Sequence, residues 1–147
     1  MTHFPAARHY PDTTFINADL VLVCHGELTS FSQELESRGF LVLGVHQTDD
    51  GLWKACFALD HESGEANFQV LLQRLLSGLE ALPQGWMNRW NTLSCRSLDL
   101  GFEAGTETRH YSRRISTGLL RRMVALDIEL VITIYAPVPE PLSLAVI

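Results

Sequence analysis

A stripe of large apolar side chains recurs at helical spacing between Ala66 and Leu82, and no other pattern narrows the possible folds as much. Its members are Phe68, Leu71, Leu72, Leu75, Leu76, Leu79 and Leu82. Residues three and four positions apart lie on one face of an α-helix, so the stripe predicts a helix that is apolar on one side. Such a helix must bury that side against another layer of structure, and we expect Leu72, Leu75 and Leu79 to pack on a β-sheet.

Five apolar segments rich in strand-forming residues predict the sheet itself. They are Phe15–Cys24, Phe40–His46, Leu52–Leu59, Leu93–Glu103 and Ile128–Ala136. Asp49-Asp50-Gly51 lies between the second and third segments, and this turn chemistry predicts a β-hairpin. A hairpin is antiparallel, whereas strands joined through a helix run parallel, so we expect a mixed sheet.

Three further segments are predicted to be helical. They are Leu28–Arg38, Trp86–Asn91 and Ile115–Asp127. In the first, Ser30 and Gln33 have the spacing of a capping box, and Gly39 follows at the position where helices often end. In the second, Trp86 and Trp90 are four positions apart and share one face of a short helix.

The predicted order of elements is β-α-β-β-α-(α)-β-α-β, in which the parenthesis marks the short helix. The first and last parts are alike and form a weak internal repeat of two βαβ units, whose right-handed crossovers place helices on one side of a sheet. The sequence therefore predicts an α+β fold with a mixed sheet of about five strands and helices mainly on one face, related to the ferredoxin-like fold. We expect an N-terminal arm at 1–14, one domain at 15–136 and a proline-containing C-terminal tail at 137–147.

Acidic charge is concentrated in the first part of the chain. The 147 residues carry a formal net charge of −6, and residues 1–85 hold eleven acidic and four basic side chains, against six and seven in residues 86–147. Nucleic-acid binding depends on phosphate neutralisation by Lys and Arg, so this balance argues against a nucleic-acid partner. The same charge attracts a basic protein partner and accelerates the encounter with it.

The chain is predicted to be soluble and cytoplasmic. Met1–Pro11 lacks the apolar core of a signal peptide, and the longest apolar runs, such as Leu130–Ala136, are too short to span a bilayer. Three cysteines at wide spacings, Cys24, Cys56 and Cys95, form neither a CxxC pair nor a disulfide framework. We expect three reduced thiols, which favours a reducing compartment, and no membrane partner.

Two features are candidates for a partner-binding site. The first is the acidic cluster around the predicted hairpin, which is opposed only by Lys54 and consists of Asp49, Asp50, Asp60, Glu62 and Glu65. The second is Trp86, because tryptophan is enriched at binding hot spots. The alternatives are a solvated turn and helix start for the carboxylates and core packing for the tryptophan.

Residues that carry chemistry form no recognisable catalytic motif. Cys24 and His25 are neighbours in a strand and point to opposite faces, which prevents an activated Cys–His pair. His25, His46 and His61 each lie near a predicted strand end, but no HxH or HExxH spacing supports a metal site. The sequence contains no GxSxG, GxxxxGK[ST] or GxGxxG. We therefore predict no catalytic residue, no metal and no cofactor.

Several packing landmarks follow the early strand. They are the Leu28-Thr29 helix opening, a mid-chain strand with Trp53, the leucine-rich helix at Leu71–Leu82 and a final strand that ends in Ile132-Thr133-Ile134-Tyr135. In this order the landmarks resemble those of a bacterial family, the domain of unknown function that carries the number four-two-seven-nine. The resemblance extends from about Asp19 to Tyr135. It implies a shared fold and carries no activity.

Three hypotheses about function stay open at this point. The first is a non-catalytic protein-binding domain, in its sharpest form an immunity protein that neutralises a basic, nuclease-like toxin. The second is a small enzyme or a ligand- or metal-binding domain that uses the region of His25, His46 and His61. The third is a structural homodimer that extends its sheet through an edge strand.

Overall fold

The structure, a computed structural model, describes residues 12–60, 68–107 and 109–137. Within them the chain forms five strands and four helices in the predicted order. The strands are β1 (Thr14–Cys24), β2 (Phe40–Gln47), β3 (Trp53–Leu59), β4 (Cys95–Glu103) and β5 (Glu129–Tyr135). The helices are α1 (Thr29–Ser37), α2 (Phe68–Glu80), α3 (Gln84–Asn91) and α4 (Thr117–Ala125). Most of the predicted arm and tail lies outside the described residues.

All five strands belong to one mixed sheet in the order β2-β3-β1-β4-β5. β3 pairs antiparallel with both β1 and β2, so β1 and β2 run parallel to each other on either side of it. β4 pairs antiparallel with β1 and parallel with β5. The predicted α+β fold with a mixed five-stranded sheet is confirmed, and the split β1-α1-β2 unit is compatible with a ferredoxin-like relation. In this order β2 and β5 are the two edge strands.

One hydrophobic core lies between the sheet and the helices, and all four helices contribute side chains to it. Strand residues in register, such as Leu20 and Phe57, are fully buried on the same face of the sheet. The apolar stripe of α2 faces that layer. Leu72, Leu75 and Leu79 are at most 1% exposed, which confirms their predicted orientation.

The start of α1 differs from the prediction. The Glu27 carboxylate accepts hydrogen bonds from Thr29 N at 2.7 Å and from the Ser30 hydroxyl at 2.8 Å, and no side chain at the N-cap takes that role. The predicted Ser30–Gln33 capping box is therefore wrong, because an acidic side chain ahead of the helix reaches its free N–H groups. These hydrogen bonds, first the one from the Ser30 hydroxyl, lower the pKa of the Glu27 carboxyl. At the other end Gly39 has a φ of 96°, as expected for a glycine that ends a helix.

A buried guanidinium joins the ends of two helices to the sheet. Arg96 lies near the start of β4, on the helix-covered face, and is 9% exposed. Its Nη1 donates to the carbonyl oxygens of Trp90 and Leu93, both at 2.9 Å, where α3 ends. Its Nε and Nη2 donate to the carbonyl and the carboxylate of Asp127 at 3.1 and 2.6 Å, just after α4. These hydrogen bonds compensate a charge that is otherwise costly to bury.

The same junction holds Asp127 in the left-handed backbone region, with a φ of 55°. Backbone hydrogen bonds from Asp127 to Val124 and from Ile128 to Met123 close α4 with the pattern of a Schellman motif. Glycine usually occupies this position, because a side chain there strains the backbone. The two contacts with Arg96 offset that strain for aspartate.

Replacement of Arg96 by methionine is expected to destabilise the protein by about 2–4 kcal/mol, because the buried carbonyls at the helix ends lose their donor. The matched control is Arg38→Met, which removes an exposed i,i+4 pair with Glu34 and is expected to cost at most about 0.5 kcal/mol. Urea denaturation of both variants measures the difference in unfolding free energy. A loss of at most about 0.5 kcal/mol for Arg96→Met, as expected for the exposed pair, would show that the Arg96 junction adds little stability.

α2 lies close to one side chain of β2 at a glycine. A Cβ atom at Gly78 would lie 2.9 Å from the ring of Phe40, which is 2% exposed in the core. Gly78→Ala is therefore expected to destabilise the protein by about 1–3 kcal/mol, although alanine favours helices. The control is Gly118→Ala in α4, where the Cβ atom would lie 3.9 Å from the nearest atom, the Ser116 hydroxyl oxygen, and a gain of up to about 1 kcal/mol is expected. A stabilised Gly78→Ala protein in the same denaturation assay would contradict this packing.

Candidate protein-binding surface

β5 is an exposed edge strand with an apolar sequence. Six of its seven residues are exposed, although it pairs with β4 in regular register along its whole length. Its large apolar side chains are between 38% and 68% exposed and comprise Leu130, Val131, Ile132, Ile134 and Tyr135. Successive side chains alternate between the two faces of a sheet, so apolar groups lie on both sides of this edge. A long apolar edge strand of this kind is a site of association with other chains.

The backbone of β5 presents a row of hydrogen-bonding groups at its outer edge. In a strand, the N–H and C=O of one residue point to one side, and those of the next residue point to the other side. The Tyr135 carbonyl accepts a hydrogen bond from Ala104 N at 2.8 Å, so the odd-numbered residues of β5 face β4. The groups of Leu130, Ile132 and Ile134 therefore face outward, and no strand in the described part of the chain pairs with them.

α4 extends the apolar surface on the same side of the molecule. Arg122 points toward α2, where it donates to both carboxylate oxygens of Glu80 at 2.5–3.2 Å. Leu120 and Val124 lie two positions before and after Arg122, so at 100° per residue they project from the opposite flank of α4. Because α2 packs over β1, that flank faces the β5 edge. Leu120 and Val124 are 39% and 77% exposed.

The other edge of the sheet is built differently. β2 carries a β-bulge between Val42 and Gly44, which interrupts its register with β3. Leu41 and Leu43 are exposed at this edge. Bulges twist an edge and interrupt its row of hydrogen-bonding groups, which opposes the addition of another strand. The ladder between β4 and β5 has no such interruption, so β5 is the edge better suited to strand addition.

The sheet face opposite the helices carries two carboxylates side by side. Asp19 in β1 is in register with Asp99 in β4. The Asn17 amide donates to both carboxylate oxygens of Asp19 at 3.2 and 3.3 Å, and the Thr133 hydroxyl donates to Asp99 at 2.7 Å. Burial raises the pKa of the Asp19 carboxyl, and the charge of Asp99 raises it further. Sequence reasoning missed this pair, and the signal for it is an aspartate at an outward position within each apolar strand.

The residues predicted for an acidic patch lie at two ends of the hairpin. Asp49 and Asp50 are exposed in the turn between β2 and β3, and Asp60 is exposed just after β3. β3 separates them, and its seven residues span roughly 20 Å. The structure therefore does not bring Asp60 together with the turn carboxylates. Glu62 and Glu65 lie outside the described residues.

The two tryptophans of α3 share one face, as predicted, and both rings lie near Phe31 of α1. Trp86 is half-buried and packs edge-to-face on Phe31, with ring centroids 5.7 Å apart. Trp90 is fully buried, and its indole N–H donates to the Leu126 carbonyl at 2.9 Å. Trp90 is thus a core residue, whereas Trp86 lies at the margin of the core with part of its ring accessible.

The residues of the alternative chemical site form no cluster. His25 is exposed after β1 and His46 is exposed near the end of β2, while His61 lies outside the described residues. Among residues 12–60, 68–107 and 109–137, no group of three or more potential metal ligands is found. The cysteines are free: Cys24 is buried in the core, and burial raises the pKa of the half-buried Cys56 thiol. A raised pKa reduces the thiolate population and weakens this thiol as a nucleophile.

Asp99→Asn is expected to lower the pKa of Asp19 toward its ordinary value, because the variant removes the neighbouring negative charge and keeps an acceptor for Thr133. A raised folded-state pKa favours the protonated carboxyl, so its contribution to stability is lost as pH rises through that pKa. The variant is therefore expected to be more stable than the native protein near pH 7, with the difference vanishing near pH 3.

Two measurements check this expectation. NMR titration of the carboxyl carbons gives the pKa of Asp19, and urea denaturation at the two pH values gives the stability. Asp49→Asn, at an exposed turn residue, controls for the loss of one negative charge and is expected to leave the pKa of Asp19 unchanged. An equal pKa of Asp19 in the native protein and in Asp99→Asn would contradict the coupling of the two carboxylates.

No helix in the described residues is long and apolar enough to cross a membrane. Comparisons of the chain with protein-family models, with curated proteins and with solved structures find no match. A fold alone does not specify a function, which resides in particular sites. Within the described residues, the β5 edge and the flank of α4 beside it form an exposed apolar surface of a kind that is unusual on a self-contained monomer.

Proposed function

We propose that this chain is a protein-binding domain that takes up a β-strand of its partner along the β5 edge. The observation that carries the proposal is the row of outward backbone groups at Leu130, Ile132 and Ile134, with exposed apolar side chains on both faces. In strand addition, backbone hydrogen bonds supply affinity, and alternate side chains supply specificity. β5 offers both along its whole length.

The apolar surface supports this proposal energetically. A large apolar side chain contributes about 1.5–3 kcal/mol when it goes from exposed to fully buried. Association costs an estimated 4–15 kcal/mol in lost translational and rotational freedom, so one or two such side chains are too few. β5 provides five that are more than a third exposed, and Leu120 and Val124 on α4 provide two more.

The sharper form of the proposal is an immunity protein that neutralises a basic toxin, and its support is electrostatic. The chain has a net charge of −6. On the sheet face opposite the helices, burial raises the pKa of Asp19, and repulsion from Asp99 raises it further. A lysine or arginine of a partner would relieve that repulsion. Association with such a partner is expected to slow with added salt, because the Debye length falls from roughly 10 Å at 0.1 M to about 3 Å at 1 M.

Ile132→Lys is expected to abolish capture of the partner, because it places a charge at the centre of the β5 edge. The matched control is Leu43→Lys, which makes a similar change at an exposed position of the β2 edge and is expected to capture the partner as the native protein does. The experiment is affinity capture from the native host with the three baits, followed by association rates of the purified pair at two salt concentrations. Circular dichroism verifies that each bait is folded.

Each contrary outcome removes a defined part of the proposal. Native-level capture by Ile132→Lys would show that β5 is not the binding edge. Loss of capture with Leu43→Lys alone would place the binding edge at β2. Identical association rates at both salt concentrations would contradict the proposal that the partner is basic. A native bait that captures neither another protein nor an untagged copy of itself would overturn the protein-binding function.

A further inference from the structure

We propose that the strand added to β5 is β5 of a second copy of this chain, so that two five-stranded sheets join into one sheet of ten strands. The inference rests on the proposed binding edge and names a second copy of this chain, in place of a strand of a basic protein, as its occupant. The two strands run antiparallel about a two-fold axis at Ile132, and both subunits use the same surface.

The outward-pointing residues of β5 are the ones that this pairing requires. In an antiparallel pair, two facing residues exchange both of their hydrogen bonds only when the backbone groups of each point toward the other strand. Ile132 and the partner's Ile132 both point outward, and so do Leu130 and the partner's Ile134. This register is the one that pairs all three outward residues of β5 within the strand.

On the helix side of the joined sheet, apolar side chains face apolar side chains. Leu130 faces the partner's Ile134, and Ile132 faces the partner's Ile132. Leu120 and Val124 on the neighbouring flank of α4 add exposed apolar surface beside the joint. The seven large apolar residues of β5 and this flank expose on the order of 600 Å² per subunit, so even their complete burial supplies most, and not all, of the roughly 800 Å² per partner of a stable complex.

On the face of the joined sheet opposite the helices, no like charges of the two β5 strands face each other. Glu129 faces the partner's Tyr135, whose hydroxyl is a donor for the carboxylate, and Val131 faces the partner's Thr133. Asp99 and the partner's Asp99 are three strand spacings apart, or at least roughly 14 Å. That separation exceeds the Debye length of about 8 Å at physiological salt, so repulsion across the axis is screened.

The first test measures mass and amide exchange of the native chain over a concentration series. Light scattering is expected to give twice the chain mass at high concentration and the single mass on dilution. The amides of Leu130, Ile132 and Ile134 are expected to exchange at least about tenfold more slowly in the dimer. The amides of Val131 and Thr133 face β4 and are expected to stay protected at every concentration.

Variants assign the dimer to this edge and this register. Ile132→Lys is expected to be a folded monomer, whereas Leu43→Lys is expected to remain a dimer. Ile132→Cys is expected to form a disulfide-linked dimer on mild oxidation, because facing Cα atoms of such a pair lie about 5.5 Å apart. Thr133→Cys is its control, since Thr133 faces the partner's Val131 and the two copies of residue 133 are out of bonding range.

The outcomes separate this inference from the proposed function. In one outcome, the native chain stays monomeric while Ile132→Lys abolishes its capture of another protein. That result would overturn the pairing with a second copy and keep β5 as the binding edge. A monomer whose outward amides are protected at every concentration would overturn both, because a segment of the chain itself then covers the edge. A dimer that survives Ile132→Lys and is not linked through Ile132→Cys would overturn the pairing of β5 with itself.

Discussion

The arrangement of α3, β4, α4 and β5 depends on the hydrogen bonds of the buried Arg96 guanidinium. This guanidinium binds the carbonyls where α3 ends and both the carbonyl and the carboxylate of Asp127 where α4 ends. β5 begins two residues after Asp127, so the same contact determines where that strand starts along β4. A buried cation is costly to leave unpaired, and this cost holds the two helix ends to one position relative to the sheet.

The chain after β4 adds α4 and then β5, so that β5, and not β4, forms this edge of the sheet. β4 lies between β1 and β5, whereas β5 has a single neighbour in the described residues. Strands of parallel sheets are usually covered on both faces, and for that reason their sequences are continuous apolar runs. In β5, four of the five residues from Leu130 to Ile134 are apolar, yet α4 covers the strand incompletely, and Ile132 on the helix side stays 59% exposed. β5 therefore has the sequence of an interior strand at the position of an edge strand, which is the condition that a second β5 would resolve.

Local patterns and non-local contacts differ in how far the sequence predicts them. Helical periodicity is local, so the sequence predicts α2, its buried face and the order of the elements. Strand order is non-local, and the apolar run of β5 has the same composition whether its outer edge is covered or not. Asp50 and Asp60 are close in sequence but lie at opposite ends of β3. Asp19 and Asp99 are far apart in sequence, yet they pair across β1 and β4, and their repulsion is one cause of the raised pKa of Asp19.

The charge of the chain is uneven between its two halves, and each half contains one edge strand of the sheet. Residues 1–85, with eleven acidic and four basic side chains, contain β2 and β3, whereas residues 86–147, with six and seven, contain β4, α4 and β5. Two copies that approached through β2 would bring two acidic regions together, and their repulsion would oppose association. An approach through β5 brings together two nearly neutral regions, and Glu129 is the single charged residue of that strand. Electrostatics therefore favours the proposed contact between copies through β5, which would leave the acidic half of each chain accessible to the proposed basic partner.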